Sequence, residues 1–60
     1  MSYELILDAI RSGKITNADI ARHAGIPLEK CGMLLRQMRD DGLVVSLTRG
    51  KWMERVNKWK

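Results

Sequence analysis

The side chains of this 60-residue chain that could do chemistry are mostly basic, and they gather in its second half. Arg11, Lys14 and Arg22 balance Glu4, Asp8 and Asp19 over residues 1 to 28. Beyond that point Lys30, Arg36, Arg39, Arg49, Lys51, Arg55, Lys58 and Lys60 outnumber Glu29, Asp40, Asp41 and Glu54, so the net charge of +4 lies entirely there. A neutral half beside a basic half gives an oriented field that attracts a polyanion. The alternative, solubilising charge, would produce the same asymmetry. Several of these residues have base-reading chemistry. Arg36 can pair bidentately with guanine O6 and N7, Gln37 with adenine N6 and N7, Glu29 can accept from cytosine N4, and Met33 can touch a thymine methyl. Lys30, Arg49, Lys51 and Arg55 suit phosphates, where contacts supply affinity and orientation rather than sequence information.

Other chemistry finds little to work with. The single Cys31 can form no internal disulfide and no cysteine metal site, and the lone His23 has no ligand partner at metal spacing. There is no carboxylate pair, nucleophile–base spacing, phosphate loop or metal cluster, so neither catalysis, a metal nor a cofactor is expected. No apolar run approaches the roughly 18 residues needed to span a bilayer, which excludes a membrane-spanning role. An unpaired cysteine fits a reducing compartment, and Glu4 stands where a signal peptide would be basic, so a cytoplasmic location is expected.

The elements that must position these residues are legible from period and punctuation. A chain of this length makes one domain at most, 1–60, and buries only about 60% of its unfolded surface. Leu5, Ile6, Ala9 and Ile10 predict the inward face of a first helix that Gly13 stops. Lys14-Ile15-Thr16 reads as a minimal strand with Ile15 turned inward. Thr16-Asn17-Ala18-Asp19 has the form of a capping box and opens a second helix, which ends at Gly25. Pro27 suits the first turn of a third helix, with Cys31, Leu34, Leu35 and Met38 on one side and Glu29, Met33, Arg36 and Asp40 on the other. Gly32 within that helix costs about 1 kcal/mol relative to alanine, which is easiest to rationalise where a surface must approach closely. Gly42 ends the helix, 43–47 is rich in strand formers, Thr48-Arg49-Gly50-Lys51 is the turn, and 52–56 returns as a second strand. Residues 57–60 read as a flexible tail unless Trp59 docks.

The order helix, short strand, helix, tight turn, helix, hairpin, together with Ile20-Ala21-x-x-Ala24-Gly25-Ile26 followed by Cys31 and Leu34, resembles winged helix-turn-helix transcription regulators. These include the small fimbrial-operon regulators of enteric bacteria and the DNA-binding cores of the MarR-like and ArsR-like families. The resemblance covers about residues 3 to 56. It implies an α+β fold of three helices, a short strand and a C-terminal β-hairpin wing, with a recognition helix in the major groove and a wing on phosphates or the minor groove. Gly32 sits where those families often carry serine or threonine, and no extra dimerisation helix is present. The residues expected near double-stranded DNA are Thr16, Asn17, Glu29, Lys30, Gly32, Met33, Arg36, Gln37, Arg49, Gly50, Lys51 and Arg55. A second copy on a repeated or palindromic site is compatible with so small a reader. The competing readings are a winged-helix module that binds another protein, to which Met33 and Trp59 would contribute, and a phage or plasmid accessory protein without DNA affinity.

Overall fold

The structure, a computed structural model, describes residues 2–55. In chain order it contains α1 (Ser2–Arg11), α2 (Asn17–Ala24), α3 (Leu28–Asp40), β1 (Val44–Thr48) and β2 (Lys51–Glu54). Three helices and one antiparallel hairpin make an α+β fold with the layout of a winged helix. Val56, the tail 57–60 and Trp59 lie outside the described residues.

One apolar core joins all five elements. Ile6 and Ala9 from α1, Ile20 and Ala21 from α2, Cys31, Leu35 and Met38 from α3, Val44 from β1 and Trp52 from β2 are buried together. Tyr3, Leu7, Ile10, Ile26 and Leu34 pack around them. The inward stripe of α1 therefore runs through Tyr3, Ile6, Leu7 and Ile10. Leu5, expected on that stripe, is 47% exposed, because at 100° per residue it falls about 40° beyond Ala9, the buried edge of the arc that the other elements cover.

Local signals account for the helix boundaries. Thr16, in an extended conformation, caps α2 by accepting from the Asp19 amide at 3.2 Å. Only this half of the capping box forms, since the Asp19 carboxylate turns to Arg22 Nη1 at 3.5 Å. At the other end Gly25 adopts φ 73°, a left-handed conformation that a side chain would disfavour. Its amide and that of Ile26 both donate to the Ala21 carbonyl, at 2.8 and 3.1 Å, and this turns the chain sharply toward α3. Pro27 is the N-cap of α3, one position earlier than the first-turn place expected, and its carbonyl accepts from the Cys31 amide at 2.9 Å. After Asp41 the Leu43 amide donates back to the Met38 carbonyl at 2.9 Å and the chain enters β1.

The hairpin pairs Val44 with Glu54, Val45 with Met53 and Ser46 with Trp52, then slips between Ser46 and Thr48 so that Thr48 faces Lys51. Val44 and Trp52 point into the core, while Val45, Leu47 and Met53 face away from it. The expected short strand is reduced to a single bridge, Thr16 to Lys51, flanked by Trp52 N–H donating to Ile15 O at 2.9 Å and Asn17 N–H donating to Gly50 O at 3.1 Å. Ile15 is 42% exposed instead of turned inward. It rests at the edge of a shallow groove of about 330 Å³ with Ile10, Trp52 and Met53, because Trp52 fills the core position beside it.

Candidate nucleic-acid interface

Three segments distant in sequence meet at the start of α2. Asn17 is the common point. Its amide holds the Gly50 carbonyl of the wing turn, and its own carbonyl accepts from the Cys31 thiol at 3.8 Å. Its side-chain Nδ2 lies 3.3 Å from where a Cβ on Gly32 would stand. The partner that approaches α3 closely at Gly32 is thus Asn17 of the same chain. Gly50 itself takes φ 77°, which lets the turn reach back to Asn17. Arg49 and Lys51 are carried on either side of it, both exposed.

On α3, Glu29, Lys30, Met33, Arg36 and Gln37 are exposed, with Met33 at 62%. Gly32 is half-buried, as are Thr16 and Asn17. The structure therefore links 16–17, the region around Gly32 and the turn at 49–51. It does not bring Arg55 to the wing tip. The Arg55 amide bonds to Leu43 O at the base of the hairpin, roughly 13 Å of strand away from Lys51 at about 3.3 Å per residue.

The start of α3 adds a further feature. Pro27 supplies no side-chain cap, and the first intrahelical bond of the helix is donated by Cys31. The amides of Leu28, Glu29 and Lys30 are therefore left for an outside acceptor, at the end of the helix that carries partial positive charge. α2 differs, because the Thr16 hydroxyl already occupies its first turn.

The cations fall into two populations. Arg11 grips Glu54 through two hydrogen bonds, Nε to Oε1 at 2.9 Å and Nη2 to Oε2 at 2.7 Å. This hydrogen bonding holds the Glu54 carboxyl below its ordinary pKa and raises that of Arg11. Arg22 reaches Asp19, Arg39 reaches Asp40 at 3.6 Å, and His23 Nε2 lies 3.1 Å from Asp8 Oδ2. Among the described residues Lys14, Lys30, Arg36, Arg49, Lys51 and Arg55 take part in no ion pair.

Sequence reasoning missed two features. Leu28 is 53% exposed at the start of α3, and its apolar type hid that placement. The anchoring role of Asn17 left no signal beyond a glycine, Gly32, in a helix interior. Cys31 is buried, and that burial pushes its thiol pKa up, as expected for packing rather than reactivity. Among the described residues no group of three or more His, Cys, Asp or Glu could hold a metal ion, and no helix is long and apolar enough to cross a membrane. The chain matches no protein-family model, no curated protein and no solved structure.

Proposed function

We propose that this protein is a sequence-specific regulator of transcription that binds double-stranded DNA, with α3 in the major groove and the wing turn on phosphates or in the minor groove. The observation that carries this reading is the sorting of the cations. Among the described residues Lys30, Arg36, Arg49 and Lys51 lack acidic partners and lie on the two segments that Asn17 ties together, whereas Arg11, Arg22 and Arg39 are paired. Unpaired cations beside an uncapped helix N-terminus favour a phosphate-bearing partner. In this arrangement Arg36, Gln37, Glu29 and Met33 read base edges, Lys30 and the free amides of α3 meet phosphates, and Arg49 and Lys51 anchor the wing. Thr16 and Asn17 stand beside them at the junction. Arg55 contributes charge from the hairpin base. The setting is cytoplasmic, and two copies on a repeated or palindromic site would compensate for the small number of contacts each one makes.

The test is fluorescence anisotropy of a labelled duplex across a range of salt. Affinity should fall steeply as salt rises, and Arg36→Ala should weaken binding. An affinity indifferent to both would remove the reading. A second reading, a module that docks on another protein, is favoured by the exposed Leu28 and Met33 and by Leu43, Leu47 and Met53, which also stand in solvent. An apolar interface of that kind would change little with salt, so the same measurement separates the two.

A further inference from the structure

We infer that Asn17 is a positioning residue that fixes the wing against α3, with Gly32 as its socket, so that it governs sequence discrimination by setting the spacing between the two reading segments. The inference rests on the DNA-binding reading for its functional consequence, and on geometry alone for its structural one.

Asn17 is the first residue of α2 and carries no charge, yet it touches the wing turn through its amide and α3 through both its carbonyl and its side chain. Its side-chain contact replaces a missing Cβ. With alanine at 32, the new methyl would meet Nδ2 at 3.3 Å, tighter than ordinary van der Waals contact, and the Asn17 amide would have to yield. The Oδ1 atom is buried with no hydrogen-bond partner among the described residues. A polar group placed without a partner is not held there by hydrogen bonding, and what the site uses is the planar, branched shape of the side chain filling the gap over Gly32. Because the Asn17 backbone simultaneously holds Gly50, any shift of Asn17 relative to α3 is passed to the turn that carries Arg49 and Lys51. A reader that uses a helix and a wing together discriminates sites by their relative placement, and an error there penalises the correct sequence more than a random one.

Shape as the operative property gives a sharp test. Asn17→Ala empties the gap, whereas Asn17→Leu keeps a similar branched outline and removes the orphaned acceptor. Two readouts are made on full-length protein. The first is the set of backbone amide shifts and residual dipolar couplings of the free protein. The second is the ratio of affinities for a duplex selected from a random pool by the wild type and for a random-sequence duplex. Asn17→Ala should displace the signals of 49–51 and 31–33 together and lower the affinity ratio about tenfold, while Asn17→Leu should return the free-protein signals toward wild type. Should Asn17→Ala fail to fold, Gly32→Ala probes the same contact from the other side and should also displace the signals of 49–51. Signal changes confined to the first turn of α2, or equal displacement of the signals of 49–51 in the alanine and leucine variants, would overturn the inference. Absence of any duplex binding by the wild type would sink the DNA-binding reading, and the free-protein measurement would still decide the positioning role.

Discussion

The cations of α1 and α2 and those of α3 and the wing live in different company, Arg39 excepted, which reaches Asp40 at the end of α3. Arg11 and Arg22 meet carboxylates within 3.5 Å, and His23 lies beside Asp8. Lys30, Arg36, Arg49 and Lys51 meet none among the described residues. Both groups are solvent-exposed on the same small domain, so exposure does not separate them. What separates them is whether the fold itself consumes the charge. Arg11 joins the end of α1 to the end of β2 and serves the architecture. Among the described residues the unpaired cations hold no two elements together, and the proposed DNA partner is what would give them a counter-charge.

The comparison can be broken outright by removing the core on which both regions rest. Leu35→Ala should cost about 2–5 kcal/mol, against a total of roughly 3–9 kcal/mol for a domain of this length. Thermal denaturation should then show a midpoint lowered by about 8 °C or more. Next in size, the pair Arg49→Ala and Lys51→Ala should leave the melting curve almost unchanged and lower duplex affinity at least about tenfold at low salt. The slope of log affinity against log salt should lose about 0.9 for each phosphate contact removed. Retained affinity would mean that the wing is not a contact surface.

Two smaller substitutions sharpen the contrast. Thr16→Ala removes the cap of α2 and should cost about 1 kcal/mol in urea denaturation. Arg11→Ala should lower the melting temperature slightly and leave duplex affinity as it was, since its charge is already taken by Glu54. It should also alter the response to acid. Glu54 has a lowered pKa in the folded state, chiefly through its hydrogen bonds to Arg11, so its contribution to stability is present above the unfolded carboxylate pKa and is lost as pH falls through the folded one. In Arg11→Ala that part of the acid sensitivity should vanish. A variant with the wild-type acid profile would show that the pair contributes nothing in solution.

Much of the fold was legible because its signals are local. Thr16 and Asp19 mark a cap, Gly25 and Gly42 mark turns, and Cys31, Leu35 and Met38 share a helical face, all within a few residues of one another. Residue type and neighbourhood point Ile15 and Leu5 inward. Their real exposure depends on which side of each element is covered by Trp52, α2 and α3, and no window along the chain contains that information. The same limit applies to the candidate site. The basic surplus and the solvent face of α3 can be read from composition and period. The pairing of Arg11 with Glu54, of His23 with Asp8, and the seating of Asn17 over Gly32 join residues 15 to 43 positions apart, and they emerge only when the chain is folded. Arg55 shares a hairpin with Arg49 and Lys51, but strand length carries it to the opposite end.

The central claim, that Lys30, Arg36, Arg49, Lys51 and the start of α3 form one face for DNA, is tested most directly by titrating isotope-labelled protein with a random-sequence duplex at low salt and following its backbone amides. The account predicts shifts concentrated at 28–37 and 48–52, with Thr16 and Asn17 moving alongside them and α1 still. Shifts centred on α1, or none anywhere, would contradict it.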